Sequence, residues 1–199
     1  MTAAGVIALV ALAAVVASLG YLHLAPTGLS PVRNAVSQYG ITPFRAGYRV
    51  ATIAFAIAGI ALAVGIDRAT RSRSSSVVVL LVIFAAARGA ISWFPMDAPG
   101  APRTDTGRIH GLLAIAAFLP ATIAAFRLAR VLDDGARWHG LAAVSDVLGA
   151  LMAVSLLGVV LARSYPVLRA RFGAIERGFY VSAIAWFAVF AVACAAGAG

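Results

Sequence analysis

The sequence predicts an all-α integral membrane protein, a bundle of six transmembrane helices with short loops. Of its 199 residues, 62% are hydrophobic and only 12% are charged, and the mean hydropathy is +0.96. Soluble domains carry about 25% charged residues, and a helix needs roughly 20 mainly apolar residues to span a bilayer. Six segments qualify: about Ala3–Leu22, Ala46–Ile66, Val77–Phe94, Gly107–Leu128, Leu141–Ala162 and Gly178–Ala198. They use most of the chain, so we interpret residues 1–199 as one domain.

The first span, the last span and the aromatic residues near the span ends each carry a further expectation. The opening residues MTAAGVIALVALAAVVASLG have no Lys or Arg before their apolar core, whereas a secretory signal has a cationic segment there. We therefore expect a retained span. Cys194 is the only cysteine, lies in the last span and is expected to be a small packing residue. Aromatic residues near span ends, Tyr48 and Tyr180 among them, are expected to form interface belts.

Polar residues gather in the first, third and fifth connections, which must lie on one side of the membrane. We call this side the odd face and the opposite side the even face. In the first connection, SPVRNAVSQYG predicts a short helix capped by Ser30, begun by Pro31 and ended by Gly40. The third, PMDAPGAPRTDTG, holds three prolines and predicts fixed turns. The fifth, RSYPVLRARFGAIERG, predicts an interfacial amphipathic segment.

All 16 basic residues are arginine, and the net charge is +9. These arginines lie beside the spans in short loops, where arginine holds anionic headgroups or fixes topology. No basic stripe lies on a soluble element. We therefore expect membrane lipids as partners and no nucleic acid.

The arginines give two conflicting indications of orientation. On or near the even connections they are Arg68, Arg71, Arg73, Arg127, Arg130 and Arg137. At the odd face there are nine: Arg33, Arg45, Arg49, Arg103, Arg108, Arg163, Arg169, Arg171 and Arg177. A simple count makes the odd face cytoplasmic. We instead predict a multi-pass cell-membrane protein with cytoplasmic N- and C-termini, because the long odd connections are expected to use their arginines for binding.

Arg88 lies inside the third span, seven residues before Pro95 and so roughly 10 Å below the odd face. A charge at that depth costs at least about 2.5 kcal/mol unless it is paired or reaches the interface. Ser92 shares its helix face at i+4. Two interpretations remain open: Arg88 extends to headgroups, or it pairs internally with Glu176 or Asp97.

Asp97 follows the third span and His110 lies one turn inside the fourth, so a helical hairpin brings them together. Such a pair serves as an acid–base couple, as metal ligands or as a structural hydrogen bond. Ser37 and Tyr39, in AVSQYG, add a nucleophilic hydroxyl or hydrogen-bonding groups. His23, His110 and Asp97 match a catalytic zinc shell in number. We assign no metal ligand and expect no cofactor, with a single zinc ion as the minor alternative.

The order SQYG, FPMD, GRIHG and IERG resembles a bacterial and archaeal family of six-to-seven-span membrane proteins, catalogued as domain of unknown function 998. The matching residues are Ser37, Tyr39, Gly40, Pro95, Asp97, Gly107, His110, Glu176 and Arg177. The resemblance covers nearly the whole chain. It implies an architecture and a candidate site, and no reaction.

Three functions fit these observations. The first is binding of a lipid headgroup, small molecule or protein partner at the odd face, with candidate binding residues Tyr39, Arg88, Ser92, Arg103, Glu176 and Arg177. The second is an intramembrane lipid hydrolase or transferase, with His110 and Asp97 as acid–base pair or metal ligands and Ser37 as nucleophile or oxyanion donor. The third is a small transporter with Arg88 and Asp146 along its path. The sequence leaves open whether the protein is an enzyme.

Overall fold

A computed structural model describes residues 1–70, 73–133 and 139–197 and confirms the all-α membrane bundle. The α-helices are α1 (Ala3–Leu24), α2 (Arg45–Ala69), α3 (Ser75–Ala90), α4 (Asp105–Asp133), α5 (His139–Leu161), α6 (Pro166–Arg169) and α7 (Phe172–Ala195). Two 3-10 helices, Val36–Ile41 and Ile91–Trp93, lie in the first connection and at the end of α3. Six helices among the described residues are long and apolar enough to cross a membrane. They are α1, α2, α3 together with the 3-10 helix that extends it, α4, α5 and α7.

The spanning helices follow one another around the bundle in chain order. Each of α1 to α4 packs on the next helix, and α7 closes the bundle between α5 and α1 while also packing on α2. The contact between α1 and α7 is close enough to require glycine, because a Cβ at Gly5 would overlap the backbone of Ala195. Thr2 adds a hydrogen bond from its Oγ1 to the Cys194 carbonyl, 2.7 Å long. The first and last helices are thereby joined at the even face.

The interior is largely aromatic, and a hydrogen-bonded polar connection joins three of its helices. The rings of Phe55, Phe84 and Phe187 lie 5.0–5.1 Å apart between centroids and join α2, α3 and α7. The indole of Trp186 donates to Ser145 Oγ at 2.8 Å, and that hydroxyl donates to the Ala125 carbonyl at 2.7 Å. The buried indole N–H therefore has the partner that it needs. Cys194 is buried, as expected of a packing residue.

Three predictions about helices are wrong. The fourth span ends at Asp133 rather than Leu128. The last span begins at Phe172 rather than Gly178, because its first two turns are helical although they carry Glu176 and Arg177. The short helix predicted to begin at Pro31 is a turn followed by the 3-10 helix Val36–Ile41. Asn34 explains this difference: its Oδ1 accepts from the Ser30 N–H, so the side chain competes with regular helix formation. Arg71, Arg137 and the predicted helix end at Ala198 lie outside the described residues.

Candidate functional site

The odd face is assembled by contacts between segments that are distant in sequence. The Val36 N–H donates to Glu176 Oε2 at 2.6 Å, which ties the first connection to α7. Ser37 Oγ donates to Met96 Sδ at 3.1 Å, which ties the first connection to the third. The candidate residues therefore do share one face, as alternate connections must.

Arg177 holds the first connection against α7. One of its terminal nitrogens donates to the carbonyl oxygens of Pro31 at 2.7 Å, Asn34 at 2.8 Å and Gly173 at 3.0 Å. The other donates to the Tyr39 hydroxyl at 3.2 Å, and the guanidinium lies 5.9 Å from the centre of that ring. We call Arg177 and these four partners the loop clamp. Its arginine is occupied by acceptors from the chain itself.

His23 extends the loop clamp and is fixed in one tautomer. Its Nε2 accepts from Arg177 Nε at 2.7 Å, so this nitrogen carries no proton. Its Nδ1 lies 2.5 Å from the Leu19 carbonyl and must donate to it, since a carbonyl can only accept. A metal ion would have to displace Arg177 to reach Nε2. In the part of the chain that the structure describes, no three His, Cys, Asp or Glu side chains are grouped to hold a metal ion.

Asp97 organises the turn that leads into α4. Its carboxylate accepts from Thr104 Oγ1 at 2.6 Å and from the Thr104 N–H at 3.2 Å. These bonds hold the pKa of Asp97 below its ordinary value. Thr104 Oγ1 also accepts from the Gly107 N–H at 3.0 Å, which caps the first turn of α4. A Cβ at Gly107 would overlap the Asp97 carboxylate, so the glycine permits this close approach.

His110 is 7% exposed, and its Nδ1 donates to the Phe94 carbonyl at 2.7 Å. The ring therefore joins the start of α4 to the end of the third span. Among the described residues, no hydrogen bond links His110 to Asp97, and Ser37 is bonded to Met96. The three candidates share a face but do not form a hydrogen-bonded triad, and their catalytic role stays a prediction.

Arg88 is 2% exposed and points into the bundle rather than to the headgroups. One terminal nitrogen donates to the Tyr180 hydroxyl at 3.0 Å, and the guanidinium lies 5.7 and 5.4 Å from the ring centres of Phe55 and Tyr180. Burying a guanidinium costs several kcal/mol. One charged hydrogen bond returns about 1.5–3 kcal/mol, and each ring contact about 0.5–2 kcal/mol. The described residues include no carboxylate within ion-pair distance of Arg88, and Glu176 acts on its charge only from a longer distance.

Two tyrosines have a role other than the one predicted for them. Tyr48 and Tyr180 were expected in interface belts, yet each is only 3% exposed and lies beside Arg88. The interface-belt assignment of these two residues is wrong. Their side chains turn inward, because there they contact the buried guanidinium of Arg88 instead of lipid headgroups. Their sequence positions could have indicated this role, because they place both tyrosines near the odd face, at about the depth of Arg88 in the membrane.

A second group of arginines lines an open cleft beside α4. Its volume is about 710 Å³, and it lies between the first half of α4, the turn after α3 and the segment that follows α5. We call it the arginine cleft. Its lining residues are Asp97, Arg103, Gly107, Arg108, Gly111, Leu112, Ile115, Arg163 and Arg169.

Two of the cleft arginines are already engaged. Arg108 pairs with Asp105 at 3.0 Å, and both side chains are largely exposed. Arg169 donates to the carbonyls of Ala162 and Arg163, which caps the end of α5. Asp146, by contrast, is exposed on the outer surface of α5, whereas Arg88 is buried near the odd face. The arginine cleft and two apolar cavities beside α1 and α2 are lined by neither Arg88 nor Asp146.

Comparison with known proteins gives one family and no individual relative. No curated protein matches the chain, and no solved structure matches it. The family model described as "Protein of unknown function (DUF998)" matches residues 6–193, which is nearly the whole chain. The matched range contains the motifs SQYG, FPMD, GRIHG and IERG and most of each of the six spanning helices. The chain therefore belongs to the DUF998 family.

Proposed function

We propose that this protein binds the phosphate-bearing headgroup of an anionic lipid in the arginine cleft. The observation that carries this proposal is the composition of the cleft, which has four arginines and one carboxylate. Guanidinium groups match phosphate geometry and bind it in two-pronged fashion. The cleft lies at the odd face, where headgroups are found.

Arg103 and Arg163 are the residues best suited to hold the phosphate. Neither takes part in an ion pair among the described residues, whereas Arg108 and Arg169 already have partners. The carboxylate of Asp97 accepts from Thr104 and interacts electrostatically with Arg103, but it forms no ion pair with Arg103. An incoming phosphate would supply the missing acceptors.

The lower part of the cleft fits an acyl chain. Leu112 and Ile115 are 67% and 53% exposed, and they lie on the helix that carries Arg108. From Arg108 to Ile115 the helix descends about 10 Å into the membrane. Gly111 has no atom within 4 Å of the position where a Cβ would stand, so the floor beside these side chains is open. A charged upper part above an apolar lower part favours a phospholipid over a free phosphate.

This proposal gives a reason for the orientation expected from the sequence. If the odd-face arginines bind lipid and hold loops, they need not indicate the cytoplasmic side, and both termini can lie in the cytoplasm of a cell-membrane protein. Labelling of single cysteines placed at exposed Arg33 and exposed Arg73, in a Cys194→Ala background, tests it. An impermeant reagent added to intact cells should label the position of Arg33 and spare that of Arg73. The reverse pattern would overturn the orientation.

The hydrolase alternative has less support from the geometry. Its three candidate residues are held by three different partners, Phe94 for His110, Thr104 for Asp97 and Met96 for Ser37. A general base must lie within hydrogen-bonding reach of the group from which it takes a proton. A substrate would have to rearrange at least two of these contacts.

Native mass spectrometry of the protein in a mild detergent tests the lipid proposal. We expect phosphatidylglycerol to remain bound in preference to phosphatidylcholine, which has the same chains but no net charge. The double variant Arg103→Gln, Arg163→Gln should lose this preference. Arg33→Gln is the matched control, since Arg33 is exposed on the same face and lies outside the cleft.

Two outcomes would count against the proposal. Equal retention of both lipids by the wild-type protein would show that the cleft does not select charge. A stoichiometric zinc ion that is lost on replacing His110 or Asp97 would move the assignment to the hydrolase.

A further inference from the structure

A second polar region lies inside the bundle and is separate from the arginine cleft. Three side-chain atoms there are buried and have no hydrogen-bond partner among the described residues: Tyr48 Oη, Arg88 Nε and Ser92 Oγ. Arg88 and Tyr48 are 2% and 3% exposed, so water outside the protein does not reach them. Buried polar groups nearly always have partners, and exceptions in a native structure call for an explanation.

The three side chains lie around the odd-face end of the third span. Tyr48 is in the first turn of α2, and its hydroxyl interacts electrostatically with Arg88 and lies beside it without full hydrogen-bond geometry. Ser92 is one turn beyond Arg88, towards the odd face, on the same side of the third span. Each atom carries a hydrogen that it can donate, and Arg88 Nε can only donate. The cluster therefore offers three donors and one positive charge.

These features specify the missing group. Donors around a cation that has no ion-pair partner favour an acceptor with negative charge. Glu176 acts on Arg88 electrostatically but does not supply this acceptor, because its carboxylate is not within ion-pair distance of Arg88 and its Oε2 accepts from Val36. The group must also be compact, because the side chains around it, Phe55 and Tyr180 among them, are buried in the bundle.

We infer that Arg88, Tyr48 and Ser92 form an interior binding site for a small monovalent anion, a halide or a carboxylate. Arg88 supplies the charge and the Nε–H donor, and the two hydroxyls complete the shell. The Tyr180 hydroxyl holds the guanidinium by accepting a hydrogen bond from its terminal nitrogen. The site neutralises a charge that otherwise stays unpaired in the membrane interior.

Anion-dependent thermal unfolding in detergent micelles tests this inference. Sodium chloride and sodium acetate are titrated separately against sodium gluconate, whose anion is large, at constant ionic strength. A ligand that binds only the folded state raises the unfolding temperature. We expect a saturable rise with chloride and with acetate.

Three variants locate the effect. Tyr48→Phe and Ser92→Ala each remove one hydroxyl and should raise the half-saturating anion concentration about ten-fold. Arg88→Gln should abolish the response. Arg49→Gln is the matched control, since Arg49 is an exposed odd-face arginine stacked on Trp93, 5.1 Å from the ring centre. It should respond as the wild type does, and so should the double variant Arg103→Gln, Arg163→Gln.

The possible results separate the explanations. An equal rise in the wild type, Tyr48→Phe and Ser92→Ala would be a general salt effect and would overturn the inference, even if Arg88→Gln fails to fold. No rise with either anion would mean that water alone fills the cluster, which also overturns it. A rise with dihexanoyl phosphatidylglycerol alone, dependent on Tyr48, would assign the site to a lipid phosphate instead of a free anion.

Discussion

The loop clamp and the arginine cleft place the same residue type on the same face for opposite purposes. In the loop clamp, Arg177 donates to three backbone carbonyls, a tyrosine hydroxyl and a histidine nitrogen. In the cleft, Arg103 and Arg163 have no ion-pair partner in the part of the chain that the structure describes. An arginine whose acceptors come from the chain holds the fold. An arginine without them is available to a ligand.

The largest effect is expected at the loop clamp, from Arg177→Gln. The shorter, neutral side chain cannot reach the same acceptors, so carbonyls of the first connection lose a charged donor. Hydrogen bonds to charged groups contribute about 1.5–3 kcal/mol each, less where water competes. We expect the free energy of unfolding to fall by about 2–4 kcal/mol, measured by SDS titration in mixed micelles.

Arg103→Gln is the matched test in the cleft. Substitutions at exposed positions without fixed contacts usually change stability by no more than about 0.5 kcal/mol. For Arg103→Gln we therefore expect a change in the free energy of unfolding within this range, together with weaker retention of anionic lipid. If both variants lost similar stability, the distinction between a structural and a binding arginine would be wrong.

A pair of glycine substitutions sharpens the comparison at the level of packing. A Cβ at Gly173 would overlap the carbonyl oxygens of Pro31 and Asn34, which the loop clamp holds in place. A Cβ at Gly111, on the cleft floor, would meet nothing within 4 Å. Gly173→Ala should therefore destabilise the protein by about 1–3 kcal/mol, as overpacking does. Gly111→Ala should stabilise α4 by up to about 1 kcal/mol.

Thermal unfolding of the two glycine variants in parallel gives the stability result, and lipid retention gives the functional one. The added methyl group of Gly111→Ala narrows the cleft, so it should weaken binding of phosphatidylglycerol while the fold becomes more stable. Unchanged lipid retention in this variant would place the lipid away from the cleft floor.

The sequence predicted the bundle because span length and hydropathy are properties of single segments. It also placed the candidate residues on one face, since alternate connections must share a side. It could not predict which arginines are engaged. Three of the acceptors of Arg177, on Pro31, Asn34 and Tyr39, lie in the first connection, about 140 residues away, and two of these are carbonyl oxygens, which every residue possesses. Tyr48 and Tyr180 were misassigned for a similar reason: their position indicates depth, and only packing shows whether a ring faces lipid or Arg88.

Ser37→Ala tests whether the contact between the first and third connections is more than packing. The Ser37 hydroxyl donates to a thioether sulfur, which is a weak acceptor. Its loss should cost about 0.5 kcal/mol or less, with lipid retention unchanged. A large loss of activity in any lipid turnover assay, without loss of stability, would instead support Ser37 as a nucleophile.

The smallest effect is expected at acidic pH, from Asp97. Its pKa is held below the ordinary value of 3.8 by the two bonds from Thr104. The ionised carboxylate therefore contributes stability above the unfolded-state pKa, and this contribution is lost as the pH falls through the lower, folded-state value. Thermal unfolding between pH 6 and pH 2.5 should show a small decrease confined to the range below about 4. Thr104→Val removes the hydroxyl donor and should reduce that decrease, whereas Arg33→Gln should retain it. A decrease of the same size in Thr104→Val would place the acid sensitivity at another carboxylate.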